Sequence, residues 1–180
     1  MKTRAIALAS LNELQEIVET VEETELEQMQ ELILNSNRIF VGAAGRSLLA
    51  MKFLAMRLMQ IGLKVYLVGE VCTPSIREGD LLLVGSGSGE TAGMIAITKN
   101  RNSTIASIAK VAVQLNTAKP IQEGAAGPDG WIEGNYFSIR PSGNPFEQSI
   151  VIVGDAMVCE LMQKTNCGTA KIAYNHANLE

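Results

Sequence analysis

The stretch RIFVGAAGRSLLAMKFLAMRLMQIGLKVYLVGEVCTPSIREGDLLLVG, residues 38–85, decides the fold. It opens on RIFVGAA (38–44), short, β-branched and glycine-containing, the pattern of a buried parallel strand running into a loop. Ser47 to Ile61 then reads as a helix. Leu48, Met51, Leu54, Ala55, Leu58 and Met59 line one face, and Gly62 stands where a C-terminal cap belongs. KVYLVG (64–69) is a second strand, followed by the turn residues Thr73, Pro74 and Ser75, and DLLLVG (80–85) is a third. This alternation belongs to an open, mostly parallel sheet with helices on both faces.

Upstream, residues 5 to 34 read as one long helix or two short ones. Leu11, Leu14, Ile17, Val18, Val21, Leu26, Met29 and Ile33 recur at helical spacing with eight glutamates between them, and Asn35-Ser36-Asn37 ends the segment. Downstream, GSGSGETAGM leads into IAITKN (95–100), which has two readings. Either IAIT is a fourth strand behind an unusually short connection, or AGMIAITK is itself a helix. A parallel crossover ordinarily takes roughly ten to twelve residues or more. STIASIAK (103–110) is a short helical stretch and VAVQL (111–115) another strand. Residues 123 to 145 are rich in Gly and Pro and hold the only tryptophan, a long irregular stretch. Phe146 to Lys164 is helical, and KIAYNHANLE closes the sequence. We expect one domain over 1–180 with an N-terminal helical segment of about 5–34.

Composition narrows the chemistry. The 180 residues, 47% hydrophobic and 19% charged, suit a soluble globular chain with a substantial core. A net charge of −4 gives nucleic-acid binding no electrostatic support. A single histidine excludes a multi-histidine metal site, and Cys72, Cys159 and Cys167 form no CxxC pair, so neither a zinc cage nor a disulfide framework is suggested. Apolar runs fall far below the ~20 residues of a membrane span. No signal peptide is visible in MKTRAIALAS, so a cytoplasmic location is expected.

The sharpest local feature is VGSGSGET, Val84 to Thr91, directly after the third strand. Alternating glycines allow positive φ and close approach of a ligand. A helix N-terminus offers free amides and the positive dipole end to an anion. Ser86, Ser88 and Thr91 add hydroxyl donors, which suits a phosphate monoester. Glu90 stands where G-x-G-x-x-G needs glycine, and no G-K-[ST] is present, so neither dinucleotide nor P-loop chemistry fits. The structural alternative is a glycine-rich turn whose serines cap a helix. GAAGRS (42–47) is a second strand-to-helix loop, where Arg46 and Ser47 either face an anion or act as a solvated cation and an ordinary N-cap. In PSGNPFEQS (141–149), Asn144-Pro145-Phe146-Glu147 fits a capping box with proline at the first helical position. Alternatively Glu147 is a general base at a pocket rim. His176, near the end of the sequence, is either a surface bystander or a proton carrier.

GAAGRS, KFLAMRLMQIG, KVYLVGE, TPSIREGDLLLVGSGSGET, PFEQS and the terminal HANLE together resemble the 6-phospho-3-hexuloisomerases of the sugar isomerase (SIS) domain family. The likeness spans about residues 38–118 and 140–180. It implies a doubly wound three-layer α/β sandwich around a five-stranded parallel sheet in flavodoxin-like strand order. It also implies cofactor- and metal-independent interconversion of 3-hexulose 6-phosphate and fructose 6-phosphate in the ribulose monophosphate pathway of formaldehyde fixation. By matching motif, Ser47, Ser86, Ser88 and Thr91 would bind the phosphate, with Gly45 and Arg46 shaping the pocket. Glu147 would move a proton between C2 and C3 through an enediol, and His176 would be a second acid/base group.

Family members form dimers or tetramers, so the terminal histidine is expected to reach a neighbouring subunit's site. Two alternatives stand beside this: a non-catalytic SIS domain that senses a sugar phosphate, and an SIS isomerase for an arabinose or sedoheptulose phosphate. Sensors generally carry a DNA-binding helical domain, and the acidic N-terminal segment offers no basic recognition helix. Between GETAGM and IAITKN the sequence is shorter than the family by roughly a helix and a strand start. A deletion there predicts weaker phosphate binding and lower stability than in a full-length relative.

Overall fold

In a computed structural model, residues 3–86, 95–117 and 145–176 are described. The elements run α1 (Thr3–Val18), α2 (Glu23–Leu34), β1 (Ile39–Ala43), α3 (Gly45–Gln60), β2 (Val65–Leu67), β3 (Leu81–Ser86), β4 (Ile95–Thr98), α4 (Thr104–Ile108), β5 (Val111–Gln114), α5 (Phe146–Lys164) and α6 (Thr169–Tyr174). The strands form one sheet in the order β2-β1-β3-β4-β5, every pair parallel, as expected of a doubly wound fold.

Side chains alternate across this sheet with the period of two that extended backbone imposes. Ile39, Val41, Leu81, Leu83, Ile95, Ile97, Val111 and Val113 face one way and join the buried residues of α1, α2, α3 and α5 in the main core. Val84 and Ala96 face the other way, where Ile105 of α4 meets them. All four residues of β4 are buried, as in a central parallel strand.

The N-terminal helical segment is two helices. The Thr20 hydroxyl donates to the Ile17 carbonyl (2.8 Å), taking an acceptor that a continuing helix would use. The end of α3 follows from the sequence as read. Gly62 lies at φ +97°, its N–H donates to Met59 C=O (2.8 Å), and the Leu63 N–H donates to Leu58 C=O (3.2 Å). This paired bonding satisfies the last carbonyls, and the left-handed residue it needs is cheapest as glycine. Register at the amino ends is held by Arg38, opposite Asp80. Its guanidinium donates to both carboxylate oxygens (2.9 and 2.5 Å) and to Ser75 C=O (3.2 Å).

Three expectations are resolved or corrected, and one helix is added. IAIT is a strand, not a helix: β4 pairs with β3 from Leu83↔Ile95 to Ser86↔Thr98. Only residues 87–94 separate the two strands, fewer than a parallel crossover ordinarily takes. Helix α3 begins at Gly45, so Ser47 lies inside the first turn and is not the N-cap, a place held by Ala44 without a side-chain bond. Helix α5 begins at Phe146 with Pro145 at the cap position, again with no side-chain cap bond, one residue later than the capping-box reading requires. Helix α6 was not expected, because TAKIAY is too short for a legible helical period.

Candidate functional site

The chain reverses its order across the sheet between β1 and β3, since β2 lies on one side of β1 while β3, β4 and β5 extend on the other. The carboxyl ends flanking such a switch point are where open α/β sheets hold ligands. Ala43 of β1 pairs with Gly85 of β3, so the loops leaving the two strands start side by side.

From β1 the chain turns straight into α3. Gly45 sits at φ +56° with nothing within 4 Å of a Cβ built there, so glycine is favoured by backbone conformation and not by space. Leu48 N–H donates to Ala44 C=O (3.3 Å) and starts the helical ladder, so the amides before it point out of the helix end. Arg46 and Ser47 lie in this first turn. From β3, Ser86 is the last strand residue and is buried. Ser88 and Thr91 lie outside the described residues.

The third contribution comes from α5, which runs alongside α3 in the same direction. The two meet at their starts through Arg46 and Glu147, midway through Leu54 and Gly154, then through Arg57 and Asp155 (3.0 Å). At their ends the Cys167 thiol lies 3.8 Å from Ile61 C=O. A Cβ added at Gly154 would stand 3.2 Å from Leu54 Cδ1, which shows how closely the helices approach. Both N-termini, with their partial positive charge, therefore converge at one place above the sheet.

Glu147 occupies the first turn of α5 there. Its Oε2 lies 3.6 Å from Arg46 Nη2, with the Glu147 side chain 20% exposed and the Arg46 side chain 59%. That oxygen is buried and has no hydrogen-bond partner among the described residues. A buried acceptor without a donor among the described residues is uncommon and calls for a partner. The capping-box partner Asn144 lies outside the described residues. The turn carrying Glu147 is instead locked from within: the buried Ser149 donates its hydroxyl to Pro145 C=O (3.0 Å). The only prior sign of that lock was a serine four residues after proline.

His176 stands elsewhere. It follows α6, where Asn175 Nδ2 donates to Gln60 C=O (2.9 Å), the final residue of α3. Arg46 is at the opposite end of this 16-residue helix, about 24 Å long at 1.5 Å per residue. Within one chain, Gly45, Arg46, Ser47, Ser86 and Glu147 gather at the carboxyl end of the sheet, and His176 is exposed near its amino end. Among the described residues no group of three or more His, Cys, Asp or Glu is arranged to hold a metal, and no helix is long and apolar enough to cross a membrane.

Comparison with known proteins agrees with the fold. The SIS domain model matches residues 32–128. The chain is 36% identical to the 3-hexulose-6-phosphate isomerase of Bacillus subtilis (strain 168), over 100% of both chains. It is 34% identical to the 3-hexulose-6-phosphate isomerase of Mycobacterium gastri, over 92% of this chain and 86% of that one. A crystal structure of a hypothetical protein from Methanococcus jannaschii, from which a molecular function of 3-hexulose-6-phosphate isomerase was inferred, superimposes with a TM-score of 0.74. It is 27% identical and covers 97% of each chain. That activity is the 6-phospho-3-hexuloisomerase reaction under its other name. The chain belongs to the SIS domain family and, within it, to the group of the 3-hexulose-6-phosphate isomerases.

Proposed function

We propose that this chain interconverts 3-hexulose 6-phosphate and fructose 6-phosphate by proton transfer through an enediol, in the cytosol, as a step of formaldehyde assimilation. The observation that carries the reading is the buried Oε2 of Glu147, without a hydrogen-bond donor among the described residues and set beside Arg46 where the N-termini of α3 and α5 converge. Moving a carbonyl from C3 to C2 needs an anion anchor, a base that takes the C2 proton, and a proton donor for the sugar oxygens. The first turn of α3, Arg46 and Ser47, with Ser86, Ser88 and Thr91 from the β3 side, anchors the phosphate. Glu147 removes the proton from C2, exchanges it with water while the enediol stands, and delivers a proton to C3, and Gly45 shapes the floor of the pocket. Anchoring at the phosphate supplies orientation at the reacting carbons.

The second acid/base group, His176, is separated from Glu147 by the length of α3. A second copy of the chain brings its His176 to this site, so the active form is a homo-oligomer. The exposed thiols Cys72 and Cys159 are free, consistent with a reducing compartment. The sensing alternative has no support in the acidic helices α1 and α2, and the relatives' names favour the hexulose phosphate over other sugar phosphates.

Mixing two inactive proteins tests the reading. Glu147→Gln and His176→Ala, each nearly dead alone, should regain on subunit exchange about a quarter of parental activity toward 3-hexulose 6-phosphate, because a mixed pair rebuilds one intact site. No recovery in demonstrably mixed oligomers would place both residues in one chain's site or remove His176 from it. A parent that prefers arabinose 5-phosphate would return the substrate to the alternative.

A further inference from the structure

Gly85, the first glycine of the serine- and glycine-rich loop, is not among the residues with positive φ. The expectation that this loop's glycines serve left-handed backbone therefore does not hold at Gly85, which continues β3. Its missing side chain serves a different end. A Cβ built there would lie 2.5 Å from Met51 Cγ and 2.6 Å from Met51 Sδ. Carbon atoms pack favourably at about 3.5–4.0 Å. Met51 is fully buried, at 0% exposure, so it has no route into solvent.

The contact joins the two halves of the phosphate anchor. Met51 lies four residues beyond Ser47 on α3, hence on the same face one turn further on. Gly85 immediately precedes Ser86 on β3. We propose that Met51 seated on the bare backbone of Gly85 sets the first turn of α3 against the exit of β3, making both of them positioning residues for sugar-phosphate binding. This rests on the reading that Ser47 and Ser86 face one phosphate. A methyl at position 85 pushes α3 outward by about 1 Å to restore normal contact, and a misplacement of about that size can cost a hundredfold. Helix α5 moves with α3, because Leu54 and Gly154, and Arg57 and Asp155, tie the two together. The Arg46–Glu147 pair therefore keeps its own geometry while the phosphate donors are split.

The test compares Gly85→Ala, Met51→Ala and the double variant. Binding of fructose 6-phosphate is followed by calorimetry, KM and kcat with 3-hexulose 6-phosphate, and melting temperature alongside. Gly85→Ala should weaken binding and raise KM about tenfold or more, with a smaller change in kcat. The double variant should return to within about threefold of Met51→Ala, since the colliding atoms are gone. Parental binding by folded Gly85→Ala would overturn the proposal. So would a double variant about tenfold or more weaker than Met51→Ala, which would mean that the ligand or loop needs Gly85 itself. If Gly85→Ala does not fold, Met51→Ala against the double variant decides by the same threefold and tenfold criteria. A parent that neither binds nor turns over these sugars removes the functional reading alone. The seat is then read from melting temperatures, where the absence of coupling between the two substitutions would refute it.

Discussion

Glu147→Gln separates a catalytic carboxylate from a structural one, because the structure predicts very different sizes for the two effects. Glutamine keeps the shape and the capping ability of the side chain and removes its charge. The stability lost is the attraction to Arg46 at 3.6 Å and to the N-terminus of α5. Arg46 is 59% exposed, so water screens the pair to about 0–1 kcal/mol. The helix end adds about 0.3–1 kcal/mol. Together this is about 1 kcal/mol, or roughly 2–4 °C in Tm for a chain of this size. Removing a general base costs about 10²–10⁴ in rate. Melting and steady-state turnover on the same preparation should therefore give a nearly parental Tm and a kcat lower by at least about a hundredfold. A kcat within about threefold of the parent would refute the assignment of the base. A Tm fall beyond about 10 °C would show that Glu147 supports the fold.

Two further outcomes follow from the packing. Leu54→Ala empties a site 1% exposed where α3 meets Gly154 of α5; it should cost about 2–5 kcal/mol, read as a drop in Tm or in the denaturant midpoint. The Asp80 carboxyl is held below its ordinary range chiefly by the hydrogen bond from Arg38. Its contribution is therefore present above the unfolded-state pKa of about 4 and is lost as pH falls through the lower folded value. Asp80→Asn should reduce stability at neutral pH and flatten its decline below about pH 4; an unchanged acid limb in urea unfolding would contradict this.

The fold was legible in the sequence wherever local chemistry and tertiary structure agree. β1 and β3 carry short runs of apolar residues that suit strands covered on both faces, and Gly62 marks the left-handed end of α3. The ambiguity at IAIT arose because periodicity cannot tell a short buried strand from a piece of helix, while the short run 87–94 argued against a crossover. Pairing with both β3 and β5 outweighs that local signal. The start of α3 differs because Ser47 looks like a cap, yet α3 begins at Gly45, whereas α5 spans Phe146–Lys164 as read, with Pro145 in place of Asn144 at its cap position. Of the candidate site, the loops after β1 and β3 were visible as motifs, and Glu147 stood out at the start of a helix with two readings, between which the resemblance favours the base. The approach of Glu147 to Arg46 and the seating of Met51 on Gly85 depend on how α3 and α5 pack together and onto the sheet. No local pattern encodes either contact.

Turnover of 3-hexulose 6-phosphate by the parent protein in deuterium oxide tests the central claim most directly. Isomerisation through an enediol with proton exchange at Glu147 predicts fructose 6-phosphate carrying deuterium at C3, detected by NMR. Absence of fructose 6-phosphate would contradict the proposed activity, and its formation without deuterium at C3 would contradict an exchanging base.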